Sequence, residues 1–315
     1  MNQFIKLLLP AILFISIASC DSPDERRQIT EEDAPAAAAP SPITILTTTN
    51  LIADAVRQVA GDVAEVSSLM GPGVDPHLYR ATDRDRRRIM ESDVVYYNGL
   101  HLEGRMSDIL AKTGARKPVI AVAEKIDRTQ IIYHDRVADP HVWFDVTLWK
   151  EVVSTISQDL QERFPIHAQR FINNEENYLG VLDTLDHWAR TEIGSIPRQQ
   201  RVMVTAHDAF NYFGRAYNIE VEGMQGLSTL SDLSLGEVTE IVRMLVEREI
   251  KAVFVESSVP QSTVEAVVVG ARARGHDVQI GGELFSDALG EEGTPEGTYV
   301  GMVEHNVRTI TEALK

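Results

Sequence analysis

Short runs of apolar, often β-branched residues alternate with amphipathic stretches from Ile43 to the end of the chain. This alternation is typical of βα units, in which helices connect and cover parallel strands. In the first half, strands are predicted at Ile43–Thr47, Val63–Met70, Val94–Asn98 and Val119–Ala121. In the second half, strands are predicted near Val202–Thr205, Glu220–Gly223, Ala252–Glu256 and Val278–Ile280. The pattern predicts an α/β fold of two lobes, each a mainly parallel sheet flanked by helices.

Capping residues mark the starts of several predicted helices, because their side chains can accept the free N–H groups of a first helical turn. On this basis Asn50 is predicted to cap a helix over Leu51–Ala60, and Thr147 to cap the helix that follows His141. Capping boxes and apolar periodicity predict further helices over residues 83–91, 105–113, from Ser234 onward, and from about Tyr299 to Leu314.

The stretch between the halves, from His167 to Ile193, contains no Pro and a single Gly. Apolar residues recur in it at helical spacing, and a helix of this length would be roughly 36 Å long. Such a helix would join the lobes stiffly. The predicted organisation is a first lobe over residues 43–166, one long rigid linking helix over 167–195 and a second lobe over 196–315.

The first residues have the pattern of a lipoprotein signal peptide. An apolar run from Leu7 to Ala18 ends at Cys20, and it is shorter than the roughly 20 residues that span a bilayer. We expect residues 1–19 to be cleaved and Cys20 to be lipidated. Residues 20–42 are rich in Asp, Glu, Ala and Pro, a composition typical of a disordered tether. The predicted location is extracytoplasmic, with the lipid anchor in a bacterial membrane, in the periplasm or at the cell surface.

Charge and cysteine content narrow the possible functions. The formal net charge is −17, which makes nucleic acid a poor partner, and the basic run from Arg84 to Arg88 is expected to be a solvated helix face. With Cys20 as the single cysteine, the chain can form neither an intrachain disulfide nor a thiolate metal site. We expect a monomer stabilised by its apolar core.

Four segments carry residues that a divalent cation prefers. They are Asp-Pro-His77-Leu-Tyr, Asp-Pro-His141-Val-Trp-Phe-Asp, Thr-Ala-His207-Asp-Ala-Phe and Glu-Leu-Phe-Ser-Asp287. Three imidazoles and one carboxylate can fill a four-coordinate site. These residues are roughly 65, 65 and 80 positions apart, so only the tertiary fold could gather them, from loops at the ends of strands. The other histidines are expected to be structural. Four acidic neighbours could orient the imidazoles: Asp75, Asp139, Asp145 and Asp208.

At these motifs the chain resembles the TroA and ZnuA family, the zinc- and manganese-binding lipoproteins of bacterial ABC importers. Val253-Phe-Val-Glu-Ser-Ser258 and Gly281-Gly-Glu-Leu-Phe-Ser-Asp287 are also similar to family motifs. The resemblance implies a cleft between two α/β lobes in which His77, His141, His207 and Asp287 hold the transported ion. It also implies delivery to a membrane permease driven by an ATPase. The chain has no phosphate-binding loop of its own.

Two features depart from the family pattern. Tyr79 is followed by Arg80-Ala81 where the family often carries Glu-Pro, and the segment 124–139 has one histidine instead of a His-rich loop. Manganese-selective members commonly place Glu where His207 stands, because hard oxygen ligands suit Mn²⁺. Three imidazoles therefore favour Zn²⁺, with Mn²⁺ close behind.

Two other functional classes compete with the receptor. An exported zinc-dependent hydrolase or hydratase would use a three-histidine centre with an open position for water, whereas four protein ligands close a site. An adhesin with a structural metal would unfold when the metal is removed, whereas a receptor stays folded. The favoured hypothesis is a metal-capturing receptor that is not an enzyme.

Overall fold

The computed structural model describes residues 42–230 and 233–315. The predicted signal peptide, the lipidated Cys20 and the tether up to residue 41 lie outside the described residues. None of the helices in the described part of the chain is both long enough and apolar enough to cross a membrane.

The first lobe is built on a four-stranded parallel sheet. Its elements are β1 (Ile43–Thr47), α1 (Asn50–Ala60), β2 (Ala64–Ser68), α2 (Asp83–Glu91), β3 (Val94–Tyr97), α3 (Ser107–Gly114) and β4 (Val119–Ala121). The strand order is β2-β1-β3-β4, and every pairing is parallel. A hairpin of β5 (Tyr133–His134) and β6 (Val137–Ala138) follows, which the sequence did not predict because strands of two residues carry no alternating pattern.

Two long helices follow the first sheet: α4 (Val146–Arg163), within the predicted first lobe, and α5 (Ala168–Gly194), the linking helix. At 1.5 Å per residue, the 27-residue α5 is about 40 Å long. Its buried face consists of Phe171, Tyr178, Leu182, Leu185, Ala189 and Ile193, the apolar residues at helical spacing. The predicted long linking helix is confirmed, while the lobe boundaries stay a prediction.

The second lobe contains two parallel strand pairs flanked by helices. Its elements are β7 (Val202–His207), α6 (Asn211–Tyr217), β8 (Glu220–Gln225), α7 (Leu235–Glu247), β9 (Ala252–Glu256), α8 (Ser262–Ala273), β10 (Gln279–Leu284) and α9 (Tyr299–Leu314). β7 pairs with β8 and β9 with β10, and the inner strands β7 and β9 lie side by side. The predicted α/β class is confirmed.

Two predicted helix caps were wrong by one or two residues. Thr49, and not Asn50, caps α1: its side chain accepts the N–H of Ile52. Asp145, and not Thr147, caps α4 by accepting the N–H of Thr147 at 2.9 Å. In both cases neighbouring residues are capable caps, and backbone dihedral angles decide between them. Asn50 is thereby free to bond elsewhere.

The largest apolar cluster among the described residues runs through both lobes and includes α4 and α5, while a smaller cluster lies within each lobe. Trp149 of α4 stacks on Tyr299 of α9 with ring centroids 5.1 Å apart, and both side chains are fully buried. The Tyr299 hydroxyl donates to the Trp143 carbonyl at 2.7 Å, and the Tyr212 hydroxyl donates to the Asp139 carbonyl at 2.9 Å. Because these contacts join residues far apart in sequence, separating the lobes would expose apolar surface.

We predict that the protein unfolds in one transition and that Trp149→Ala lowers its unfolding free energy by about 3–5 kcal/mol, the usual effect of emptying an aromatic core position. Urea unfolding followed by circular dichroism and tryptophan fluorescence measures both. Ile166→Ala is the control, since this side chain is 88% exposed and should change the free energy by less than about 0.5 kcal/mol. Two separate transitions would show that each lobe has an independent core.

Candidate metal centre

His77 lies in the loop that follows β2, in a turn organised by Asp75. The Asp75 Oδ1 atom accepts the main-chain N–H groups of His77 at 2.8 Å and Leu78 at 3.3 Å. The Tyr79 hydroxyl then donates to Asp85 in the first turn of α2 at 2.8 Å. The turn is therefore held at both ends, although Arg80 and Ala81 replace the usual family residues.

His141 is fixed by Asp139, two residues earlier in the chain. The Asp139 Oδ1 atom accepts the main-chain N–H of His141 at 3.0 Å and lies 2.7 Å from its Nδ1. Both side chains are fully buried. Since Nδ1–H donates to Asp139, the Nε2 atom of His141 is left as a free lone-pair donor, which is the arrangement typical of ligating histidines.

His207 is the last residue of β7 and is fixed by Glu256, the last residue of β9. The Oε1 atom of Glu256 accepts the main-chain N–H of His207 at 2.9 Å, and the Oε2 atom lies 2.5 Å from the Nδ1 of His207. Asp287 lies in the loop immediately after β10. The second lobe thus presents one imidazole from the end of β7 and one carboxylate from the loop after β10, on either side of β9.

The four side chains converge on one buried point. One potential ligand atom from each of His77, His141, His207 and Asp287 lies within 4.8 Å of the others. The Nε2 atoms of His77 and His141 are 3.3 Å apart. The Asp287 carboxylate oxygens lie 3.4 Å from the Nε2 of His207, 3.6 Å from that of His141 and 3.8 Å from that of His77. Two of these residues come from each half of the chain.

These separations fit a cation at the centre of the cluster. Ligand bonds of about 2.0–2.2 Å in a tetrahedron place the ligand atoms roughly 3.3–3.6 Å apart. The Nε2 of His207 and both carboxylate oxygens of Asp287 are buried without a hydrogen-bond partner. Buried polar atoms without partners are costly, so their convergence indicates that something outside the chain satisfies them.

The electrostatics of the cluster attract positive charge, which a metal ion would supply in exchange for a proton on His207. Burial lowers the pKa of His77 to about 3, so this ring is a neutral donor at neutral pH. Burial also opposes charge on His207, but the carboxylates of Glu256 and Asp287 outweigh it and raise the pKa of His207 well above its usual value. Burial opposes the charge on Asp287 too, yet His207 and the other imidazoles hold the pKa of Asp287 below its usual range.

The four proposed orienting carboxylates have different roles. Asp139 contacts a ring nitrogen, as expected, whereas Asp75 accepts the main-chain N–H groups of His77 and Leu78 and the hydroxyl of Thr229. Asp145 caps α4, and Asp208 bonds to Asn211. Sequence reasoning missed Glu256, although it ends a strand that is otherwise wholly apolar. A charged residue in that position is seldom buried without a partner, and this was the available signal.

Comparison with known proteins identifies relatives of the whole described fold. Residues 45–313 match the family model described as ZnuA, zinc-uptake complex component A, periplasmic. The manganese-binding lipoprotein MntA of Bacillus subtilis is 48% identical over 312 residues, which cover 98% of this chain and 99% of that protein. The zinc-binding protein TroA of Treponema pallidum is 46% identical over 279 residues, which cover 88% of this chain and 91% of that protein.

The solved structure of the periplasmic zinc-binding protein TroA from Treponema pallidum has the same fold. It superposes with a TM-score of 0.85 and covers 87% of this chain and 99% of that structure. The two-lobe arrangement with a long linking helix is therefore shared with a solved relative.

We predict that Glu256→Gln weakens Zn²⁺ binding by roughly 10–100-fold, the usual effect of changing a residue that orients a ligand. A glutamine can accept only one of the two N–H groups of His207 and carries no charge. Competition with a chromophoric chelator measures the affinity. Glu265→Gln on the exposed surface of α8 is the matched control and should bind like the wild-type protein. Equal affinity of both variants would mean that Glu256 does not orient a metal ligand.

Proposed function

The chain belongs to the ZnuA family of metal-binding transport receptors, and from that premise we propose that it captures a divalent metal ion outside the cytoplasm for an ABC importer. His77, His141, His207 and Asp287 would be the ligands of the transported ion. The observation that carries the proposal is the buried convergence of three imidazoles and a carboxylate whose oxygens have no hydrogen-bond partner.

Zn²⁺ is the favoured ion and Mn²⁺ the second candidate. Three nitrogen donors suit zinc, and the 3.3 Å between the Nε2 atoms of His77 and His141 matches the spacing of two ligands on a tetrahedral zinc. The two relatives described above differ in their named metals, one being manganese-binding and the other zinc-binding. Both Asp287 oxygens face the imidazoles, so a bidentate carboxylate could add a fifth ligand for a larger ion.

Delivery of the ion requires partners and a position near the membrane. A relative of this chain is a manganese-binding lipoprotein, and another, from Streptococcus mitis, is named as a substrate-binding lipoprotein of a manganese ABC transporter. By analogy, Cys20 would carry the lipid and residues 20–42 would tether the receptor. A permease with its ATPase would accept the ion, and the receptor would act as a monomer.

The alternative of an exported zinc-dependent hydrolase or hydratase receives no support. A catalytic zinc keeps an open position for water, whereas here four donors surround the centre. All four are buried, and the most exposed of them, His77, has 4% of its surface accessible. The relatives described above are named for metal binding and transport.

Titration of the metal-free protein, starting at residue 42, tests the function directly. We predict tight one-to-one Zn²⁺ binding, which His207→Ala and Asp287→Ala weaken by more than the roughly 10–100-fold typical of changes outside the ligands. His207→Glu should shift preference toward Mn²⁺, because it replaces a nitrogen donor by a hard oxygen. His187→Ala is the control, since His187 is exposed on α5.

Circular dichroism of the metal-free protein must accompany this titration, because a receptor stays folded when empty. Unfolding upon metal removal would instead indicate a structural metal. Binding that is indifferent to the ligand substitutions would contradict the proposed site.

A further inference from the structure

The orientation of Asp287 depends on how its loop is held. Both oxygens of its carboxylate lack a hydrogen-bond partner, although the side chain is almost fully buried. By contrast, the rings of His141 and His207 are positioned by bonds from Nδ1 to carboxylates, and the main-chain N–H of His77 donates to Asp75. The main chain over residues 285–289, which we call the Asp287 loop, must therefore aim this carboxylate.

One end of the Asp287 loop is held by the second lobe. The amide of Asn306 on α9 accepts the N–H of Phe285 at 2.9 Å and donates to the carbonyl of the same residue at 2.8 Å. Asn306 is 1% exposed. A side-chain amide thus pairs with both polar groups of one residue, as a neighbouring strand would.

The other end of the Asp287 loop is held in the same way by the first lobe. The amide of Asn50 on α1 accepts the N–H of Leu289 at 2.9 Å and donates to its carbonyl at 3.2 Å. Asn50 is available for this pairing because Thr49 caps the helix. Between the two ends, Trp143 Nε1 donates to the Ser286 carbonyl at 2.9 Å. Trp143 itself lies two residues after His141.

From this arrangement we infer that Asn50 is a positioning residue for Asp287 and sets how firmly the proposed site holds its ion. The inference rests on the proposed function. Although Asp287 belongs to the second lobe by sequence, its loop is fixed between two asparagine clamps, one from each lobe. Displacing α1 from the loop would free Leu289 and let the carboxylate turn away from the imidazoles. Asn50 thereby couples the contact between the lobes to retention of the ion.

The test compares two asparagines, each of which makes a hydrogen bond between α1 and another element. Asn50→Ala removes the clamp on Leu289. Asn174→Ala is the matched control: Asn174 on α5 is similarly half-buried and donates to the Val59 carbonyl of α1 at 2.9 Å, away from the Asp287 loop. Zn²⁺ affinity is measured by chelator competition, and thermal unfolding of the metal-free proteins is measured alongside. Both substitutions are then repeated on the Asp287→Ala background.

We expect Asn50→Ala to weaken Zn²⁺ binding by roughly tenfold and to speed Zn²⁺ dissociation, as changes outside the ligands commonly do. Asn174→Ala should leave affinity unchanged even if both substitutions lower the unfolding temperature of the metal-free protein. On the Asp287→Ala background, Asn50→Ala should change affinity by less than about twofold, because the interaction it acts through is gone. Asn50→Asp keeps the acceptor for the Leu289 N–H and should show a smaller loss than Asn50→Ala.

Several results would overturn the inference. One is equal affinity of Asn50→Ala and Asn174→Ala, and another is an Asn50→Ala effect that persists in full without Asp287. If the wild-type protein binds Zn²⁺ tightly and either result is found, the proposed function stands and only the positioning role of Asn50 is wrong. Absence of Zn²⁺ and Mn²⁺ binding by the wild-type protein would remove both.

Discussion

The constraint on which the structure depends is the burial of one carboxylate among three imidazoles. Removing polar groups from water without partners is costly, and an isolated buried charge is costlier still. Asp287 is 1% exposed and neither of its oxygens has a hydrogen-bond partner. A divalent cation bound at the centre of the cluster would provide the partner that these oxygens lack. The surrounding fold holds one potential ligand atom from each member within 4.8 Å of the others.

The relative position of the two lobes must also be fixed, because both lobes contribute to the cluster. The proposed ligands come from three loops and the last residue of β7, in two lobes, so any relative movement of the lobes changes the distances between them. The buried core runs through α1, α4, α5 and α9, and the stacked pair of Trp149 and Tyr299 joins two of these helices. Such packing opposes a wide hinge, because opening would expose apolar surface. A small displacement of the Asp287 loop would break only the few hydrogen bonds that Asn50 and Asn306 make with its ends.

Much of this organisation could be predicted from the sequence. The alternating pattern predicted the α/β class, the uninterrupted apolar spacing predicted α5, and the flanking motifs identified the four residues that the fold brings together. Details that depend on tertiary geometry could not be predicted. Whether Thr49 or Asn50 caps α1 depends on backbone angles, and only the cap assignment frees Asn50 to reach Leu289, 239 residues later. The partnership of Glu256 with His207 likewise required β7 and β9 to lie side by side.

The central claim is that one ion binds among residues from both lobes. Crystals of the Zn²⁺-loaded protein, with diffraction data collected on both sides of the zinc absorption edge, test it most directly. The predicted result is one strong anomalous peak at about 2.0–2.2 Å from the Nε2 atoms of His77, His141 and His207 and from an Asp287 oxygen. A peak elsewhere, or a zinc held by only one lobe, would contradict it.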